Sequence, residues 1–224
     1  MPEGVGNLGR VEAGAPGPAE PKVSGLSRVT VWIEDSDTEL GAVEPEHGTV
    51  GPEGVLAYGV FYSPAFRSRY ASFLRIDFPR LPLTTDRALF RALVWHGQRL
   101  IDLHLLRRVP EAGRPVFKLG GAQAVTVGAS PYPRYVAPEV SESGRDRVLL
   151  NATQHVEGVP PEAWAFTVGG YQPAQKWLKD RRGRTLTHDE MEHYRNTVAA
   201  LAATGEAMAA IDAEIEAHGG FPFT

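Results

Sequence analysis

A basic segment between Gly169 and Arg184 holds the residue types that suit contact with a nucleic acid. Lysine and arginine neutralise phosphates, glutamine pairs with an adenine edge, arginine pairs with a guanine edge, and aromatic rings pack against sugar or base. The segment opens with Gly169 and Gly170, which permit backbone conformations closed to other residues. A plainer interpretation is a glycine turn followed by a solvated basic helix with Trp177 in the core. The candidate DNA-binding side chains of this segment are Tyr171, Gln172, Gln175, Lys176, Lys179, Arg181, Arg182 and Arg184.

The charge of the chain is unevenly distributed. The net charge is −4, yet residues 55–184 hold 19 Lys and Arg against 10 Asp and Glu, a net charge of +9. The flanks are acidic, with a net charge of −7 over residues 1–54 and −6 over residues 185–224. A basic centre between acidic ends is typical of a nucleic-acid footprint, although exposed arginines that merely keep a domain in solution would give the same count.

Familiar catalytic and metal-binding motifs are absent from the sequence. It contains no cysteine, which excludes disulfides and thiolate zinc sites. It also lacks the G-x-S-x-G nucleophile elbow and the phosphate-binding G-x-x-x-x-G-K-[ST] loop. His188 and His193 flank Glu190, but five helical residues place the two rings about 140° apart, so they cannot share an ion. We therefore expect no cofactor, no metal and no catalysis by this chain alone. Since no stretch is apolar enough to span a bilayer, we also expect no membrane partner and a cytoplasmic location.

Helices are predicted on the N-terminal side of the basic segment. Apolar residues between positions 55 and 106 recur every three or four residues. A break at Ser63–Pro64 separates two helices, with Ser63 as N-cap and the proline in the first turn. A further helix is predicted to begin at a cap on Thr84 or Thr85 and to run to about residue 106. The arginines off the apolar stripe that are candidate phosphate contacts are Arg67 and Arg69.

Short β-like runs occupy residues 115–170. Val116–Leu119 and Ala124–Val127 flank two glycines and are predicted to pair as a hairpin. The last helix is predicted to begin at a Thr187–Glu190 capping box. These elements predict an α+β fold, in which a helical frame (residues 55–106 and 187–217) surrounds a small, mainly antiparallel sheet. Residues 1–54 are predicted to form an acidic, largely disordered tail, and residues 218–224 a second tail.

Two ordered blocks of the sequence resemble one known family. The first reads Phe61-Tyr62-Ser63-Pro64-Ala65-Phe66-Arg67-Ser68-Arg69-Tyr70 and continues through residues 73–83; the second comprises Trp164, Gly169–Gln172, Lys176–Arg181 and Gly183–Arg184. Both are similar to the C-terminal specificity domain of type ISP restriction-modification enzymes. The resemblance covers roughly residues 55–215. It implies a target-recognition domain for double-stranded DNA, with the nuclease, ATPase and adenine methyltransferase supplied by another polypeptide, since their motifs are missing here.

The resemblance leaves two functions open. In the first, the chain is a DNA target-recognition domain. The Gly169–Arg184 block, which the whole family shares, then positions phosphates or stabilises the fold, while the stretch from Arg114 to Arg147 reads bases. In the second, it is a truncated remnant whose helical face serves as a protein-interaction or dimerisation module. Salt separates the two, because phosphate contacts weaken steeply with salt and an apolar docking surface does not.

Overall fold

The computed structural model describes residues 51–76, 80–141 and 143–223. Positions 1–50, most of the predicted acidic tail, lie outside the described residues. Helices combine with two small antiparallel sheets, which confirms the predicted α+β class. The helices are α1 (Pro52–Tyr62), α2 (Pro64–Arg69), α3 (Ala71–Leu74), α4 (Arg87–His104), α5 (Pro161–Ala165), α6 (Pro173–Lys179) and α7 (His188–Ala217), with a 3₁₀ turn at Pro138–Val140. The strands are β1 (Val116–Lys118), β2 (Val125–Thr126), β3 (Arg134–Val136), β4 (Arg147–Leu149), β5 (His155–Glu157) and β6 (Thr185–Leu186).

Helices α1 and α2 meet at the predicted break. The Ser63 hydroxyl accepts a hydrogen bond from the Phe66 N–H at 3.0 Å and so caps α2, with Pro64 in the first turn. The same hydroxyl donates to the Asp212 carboxylate of α7, whose second oxygen accepts the Ala65 N–H at 3.0 Å. Asp212 therefore satisfies a backbone donor at the start of α2 and fastens α2 to α7.

The N-cap of α4 is Asp86, so the prediction of Thr84 or Thr85 was wrong. The Asp86 carboxylate accepts hydrogen bonds from the N–H groups of Ala88 at 2.7 Å and Leu89 at 3.4 Å. The Thr84 hydroxyl instead accepts the Asp86 N–H at 3.1 Å. Asp86 is the N-cap because it directly precedes the first helical turn, where two backbone N–H groups point at its carboxylate.

Helices α1 and α4 cross in close contact at two glycines. A Cβ atom added to Gly97 would lie 2.0 Å from the backbone oxygen of Val55, and one added to Gly59 would lie 3.1 Å from that of Leu93. Both neighbouring atoms are backbone atoms, so they cannot rotate away as a flexible side chain would. The missing side chains at Gly59 and Gly97 are what allows the two helices to approach.

The larger sheet is antiparallel with strand order β1-β5-β4-β3, and β2 pairs with β6 in a separate two-stranded sheet. The predicted hairpin between Val116–Leu119 and Ala124–Val127 is therefore wrong. Between these two runs stands the buried side chain of Gln154, whose amide donates hydrogen bonds to the backbone oxygens of Leu119 and Ala124. In a hairpin these backbone oxygens would accept N–H groups of the facing strand, whereas here they accept the side-chain amide of a residue in the β4–β5 turn.

Alternate residues of the four-stranded sheet face opposite sides. One aligned row is apolar and packs in a core with α5, α6 and the first half of α7. Its members, from β1 to β3, are Phe117, Val156, Val148 and Tyr135. The opposite face carries charged residues in two rows: Val116, Glu157, Arg147 and Val136, and Lys118, His155, Leu149 and Arg134.

Helix α7 belongs to two apolar cores. Its N-terminal half packs on the sheet through Tyr194 and Val198. Its C-terminal half packs on α1, α2 and α4 through Ala207, Ile211 and Ile215. Residues 55–106 thus pack against the second half of α7 and, through Leu103 and Ala200, against its middle. With 30 residues, α7 is about 45 Å long and connects the helical frame to the sheet.

Both ends of α7 follow the sequence prediction. The Thr187 hydroxyl accepts the Glu190 N–H at 3.2 Å and the Glu190 carboxylate accepts the Thr187 N–H at 3.0 Å, which confirms the capping box. The helix ends before two glycines, and Phe221 then packs against α2 with its ring centre 5.7 Å from that of Phe66. Among the described residues, no helix combines the length and the apolar character that a membrane crossing requires.

Candidate nucleic-acid interface

Three connections leave the four-stranded sheet at one end, which we call the loop end. They are the loop after β1 (119–124), the segment before β3 (129–133) and the β4–β5 turn (150–154). The segment 182–185 joins them, because the Gly183 N–H donates to the Val127 oxygen at 2.7 Å and the Val127 N–H donates to the Arg184 oxygen at 3.0 Å. The loop end therefore combines loops of the sheet with the last residues of the basic segment.

The side chain of Gln154 holds the loop end together. It is 3% exposed and uses both donors and its acceptor oxygen. Its Nε2 donates to the backbone oxygens of Leu119 at 3.2 Å and Ala124 at 2.6 Å. Its Oε1 accepts the Thr126 N–H at 2.9 Å and the Asn151 side-chain amide at 2.7 Å. One residue thus fixes the β1 loop, β2 and the β4–β5 turn relative to one another.

Besides Arg184, described below, the cations Lys118, Arg134 and Arg182 lie around the loop end. Lys118 and Arg134 lie in one row of the outer sheet face, three strand spacings apart, which is about 14 Å. Arg182 donates from Nε to the backbone oxygen of Tyr132 at 2.6 Å, which leaves its terminal nitrogens at the exposed surface. The separation of Lys118 and Arg134 is comparable with the width of the DNA major groove, about 12 Å. The arrangement suits contact with phosphates on both sides of a groove.

Charge on the outer sheet face is partly balanced. Lys118 lies 3.5 Å from the carboxylate of Glu157, and its side chain is 48% exposed. The Ser143 hydroxyl, with Lys118 and Arg145, lowers the pKa of Glu157, so that carboxyl stays ionised. Burial, together with the neighbouring Arg147, lowers the pKa of His155, so this ring is neutral near pH 7. Arg134 is exposed and forms no ion pair with the described part of the chain.

The basic segment forms the glycine turn and helix of the plainer interpretation. Val168 and Tyr171 exchange backbone hydrogen bonds across Gly169–Gly170, whose φ angles are +52° and +85°. Gln172 follows as the half-buried residue before α6. Trp177 is half-buried, with its ring centre 5.0 Å from that of Tyr194. The turn and the tryptophan therefore contribute to the fold of the segment.

Two arginines of the segment have internal partners on α7. The Arg181 guanidinium stacks on the Trp177 ring at 3.7 Å and contacts the Glu190 carboxylate at 3.2 Å. Arg184 reaches the same carboxylate at 3.0 Å. The Thr187 N–H, followed by the two arginines, lowers the pKa of Glu190 and keeps it charged. Arg181 is thus held in place, whereas Arg184 remains more exposed beside the loop end.

The candidates on α6 also contact their neighbours. Lys176 forms an ion pair with Asp180 at 2.8 Å. Lys179 donates to the Gln175 oxygen at 3.2 Å, and the Gln175 amide donates to the backbone oxygen of Trp164 at 3.3 Å. Because both lysines are exposed and surface ion pairs are weak, their charges remain accessible to a polyanion.

Arg67 and Arg69 lie near the other end of α7. They belong to α2, which is fastened to α7 at Asp212, whereas Arg181 and Arg184 meet α7 at Glu190. The two attachment points are about 33 Å apart along the helix axis. Arg67 also donates to the Phe61 oxygen at 2.6 Å. The structure therefore does not bring the α2 arginines together with the basic segment.

Sequence reasoning singled out neither Lys118 nor Gln154. Lys118 carried a weak signal, because alternation in Val116–Lys118 places it on the face opposite the core residue Phe117. Gln154 carried none, because its partners lie up to 35 positions away along the chain. Among the described residues, no three acidic or histidine side chains converge as a metal site requires.

Comparison with known proteins adds a family. Residues 33–210 match the profile described as Type ISP C-terminal specificity domain. Among the curated proteins, none matches the chain. Solved structures that resemble it are a nuclease-deletion mutant of the type ISP restriction-modification enzyme LlaGI in complex with a DNA substrate mimic, the type ISP enzyme LlaBIII bound to DNA, and a DrdV–DNA complex. Identities are 19, 17 and 18%, and TM-scores are 0.47, 0.47 and 0.49. Each alignment covers 71% of this chain but only 13, 11 and 17% of the other, so the chain spans less than a fifth of these proteins.

Proposed function

The chain belongs to the family of type ISP C-terminal specificity domains, and we propose that it is a DNA target-recognition domain that contacts double-stranded DNA with the loop end of its sheet. The observation that carries this proposal is the grouping of Lys118, Arg134 and Arg182 around loops that one buried amide holds in place. Cations bind the phosphates of any DNA sequence. Reading the bases also requires side chains that loops hold in a fixed position.

Two sets of residues have different roles in DNA binding. The loop-end cations, with Arg184 and the exposed lysines of α6, bind phosphates and set the orientation of the duplex. Within residues 114–147, the two connections that lie at the loop end, 119–124 and 129–133, present side chains to base edges. Arg181, Trp177 and Glu190 fix the basic segment to α7 and so keep the phosphate contacts in register with the loops.

The chain performs no chemistry in this proposal. Nuclease, ATPase and adenine methyltransferase activities come from other parts of a type ISP-like system, and the chain directs methylation and cleavage by choosing the site. Its partners are then double-stranded DNA and the polypeptide that carries those activities.

The salt dependence of DNA binding tests the proposal. Fluorescence anisotropy of the full chain with a labelled random-sequence duplex is expected to show binding that weakens steeply between about 50 mM and about 200 mM salt. Replacing three phosphate contacts by glutamine, in the variant Lys118→Gln/Arg134→Gln/Arg182→Gln, should reduce the salt slope by about 2.7. Over this fourfold range of salt, wild type then loses about 40-fold more affinity than the variant.

A matched triple variant serves as the control. Arg75, Arg87 and Arg91 are exposed residues of the helical frame, and their replacement by glutamine removes the same charge away from the loop end. We expect the control to keep the wild-type salt slope. Absence of binding at about 50 mM salt, or equal effects of the two triple variants, would contradict the proposed interface.

A second candidate function rests on exposed apolar side chains. Phe73 is 65%, Ile76 81% and Leu83 53% exposed, all within one segment of the helical frame. Apolar side chains that together form one exposed patch favour a protein contact, and the function is then dimerisation through Phe73, Ile76 and Leu83. Analytical ultracentrifugation would show a dimer that salt does not dissociate and that Ile76→Ser abolishes. A monomer at all concentrations would exclude it.

A further inference from the structure

The loop after β1 is closed at its base by a single side chain. The two N–H bonds of the Gln154 amide reach the oxygens of Leu119 and Ala124, the first and last residues of this loop. The Gln154 oxygen accepts from Thr126 and Asn151, so the amide itself cannot rotate without losing four hydrogen bonds. The loop therefore has a fixed base, whatever its tip contacts.

The path of the loop is also fixed by packing. Gly120 has φ +59°, and a Cβ atom there would lie 2.5 Å from the backbone oxygen of Thr153. Gly121 has φ +85°. Only glycine suits the first position, because both the backbone conformation and the contact with the β4–β5 turn exclude a side chain. The loop thus lies directly against a second loop-end connection.

One side chain at the exposed tip has hydrogen-bonding groups. Residues 120–123 are exposed and read Gly-Gly-Ala-Gln, so Gln123 is the polar member. Its amide makes no hydrogen bond to the described part of the chain. A glutamine amide offers a donor and an acceptor together, which matches the N6 and N7 groups of adenine in the major groove. The loop starts directly after Lys118, one of the loop-end cations.

We propose that Gln123 reads a base edge in the recognised DNA and that Gln154 is its positioning residue. The inference rests on the proposed function and adds to it a specificity-determining side chain. A fixed loop base means that Gln123 loses little conformational freedom on binding beyond its own rotamers, which favours discrimination between bases over indiscriminate contact. Gln123 touches the base, whereas Gln154 acts only through the loop.

Selection from a pool of random duplexes tests the reading role. The full wild-type chain should enrich one DNA site. Gln123→Ala should enrich the same site but lose the preference for a particular base at one or two adjacent base pairs within it. On the wild-type site, Gln123→Ala should bind about 5- to 150-fold more weakly, as expected for one bidentate base contact, with an unchanged salt slope. Gln98→Ala is the control, because Gln98 is an exposed glutamine of α4 whose amide donates to Asp102 of the same helix, away from the loop end.

Gln154→Met tests the positioning role. It keeps the length of the side chain, removes the four hydrogen bonds, and should erase base preference at the positions that Gln123→Ala affects. Salt-dependent binding to random duplex should remain, which a variant that merely unfolds would not show. Retained preference in Gln154→Met overturns the positioning role. If this variant does not fold, Gly120→Ala displaces the loop instead, because its Cβ would lie 2.5 Å from the Thr153 backbone oxygen, and it should erase the same preference. Base preference that survives Gly120→Ala overturns the requirement for a fixed loop.

The outcomes separate this inference from the proposed function. A wild-type pool in which no site is enriched overturns the proposed function and the inference with it. A site that is enriched equally by wild type and Gln123→Ala leaves target recognition standing and overturns the inference about Gln123.

Discussion

Substituting alanine for Gly97 should destabilise the helical frame strongly. Its Cβ atom would lie 2.0 Å from the backbone oxygen of Val55, and an ordinary contact is about 3.4 Å, so α1 and α4 must separate by about 1.4 Å. Overpacking of a close contact costs about 1–3 kcal/mol, and a contact between two backbones lies at the upper end of that range. The better helix propensity of alanine returns about 1 kcal/mol. We expect a net loss of about 2 kcal/mol in the free energy of unfolding.

Gly205→Ala is the matched control for this prediction. Gly205 also lies inside a helix, but apart from the neighbouring backbone of that helix, no atom of the described residues lies within 4 Å of the position its Cβ would occupy. Only the propensity term applies there, so the variant should gain about 1 kcal/mol. Urea unfolding followed by circular dichroism measures both changes on one scale. A Gly97→Ala variant as stable as wild type, or shifts of the same sign in the two variants, would refute the reasoning.

Three further changes probe other contacts. Asp212→Ala removes the carboxylate that binds Ser63 and the Ala65 N–H, and should lower the free energy of unfolding by about 1–2 kcal/mol in the same urea assay; an unchanged midpoint would contradict the role of Asp212. Arg181→Gln loses the stack on Trp177 and the contact with Glu190, so we expect a lower melting temperature with the salt slope of DNA binding nearly unchanged; the reverse result would make Arg181 a phosphate contact. Burial lowers the pKa of His104 to about 4, below its unfolded value of about 6.5, so stability should fall as the pH drops through that interval; His104→Gln should flatten urea midpoints measured across it, and an equally steep profile would refute the assignment.

The buried His104 ring also belongs to a chain of hydrogen bonds between helices. The Thr204 hydroxyl donates to the Ala200 oxygen at 2.7 Å, so it accepts from His104 Nε2 at 3.0 Å. His104 Nδ1 is then the acceptor for the Tyr58 hydroxyl at 2.7 Å. A proton added to Nδ1 would face a donor, which is why the neutral ring fits this site.

The helical frame could be predicted from the sequence because its signals are local. The Ser63 cap and the Thr187–Glu190 box each depend on residues three positions apart, and both are present. The predicted N-cap of α4 was wrong because aspartate and threonine are both common N-cap residues. Only the geometry of the first turn decides between Asp86 and Thr84. Local signals therefore define where helices occur better than which residue starts them.

The sheet and the loop end could not be predicted in the same way. Two glycines between β-like runs are typical of a hairpin. The actual pairing depends on Gln154, which comes about 30 positions later. Its amide donates the hydrogen bonds that the backbone oxygens of the two runs would otherwise accept from each other's N–H groups. Likewise, residue types alone nominated Arg181 and Arg184 for DNA, while their shared contact with Glu190 appears only when α6 packs beside α7. Non-local contacts decide these features, and sequence spacing carries no measure of them.

The length of α7 has a mechanical consequence for any larger assembly. The helix is stiff, and its attachment points at Glu190 and Asp212 are about 33 Å apart. A tilt of about 1° therefore displaces one attachment point by about 0.6 Å relative to the other. Hydrogen bonds tolerate a spread of about 0.5 Å in length. In the proposed function, a protein partner that contacts the helical frame therefore sets the orientation of the loop end. This orientation must be accurate to about one degree for the loops to keep their contacts with the bases.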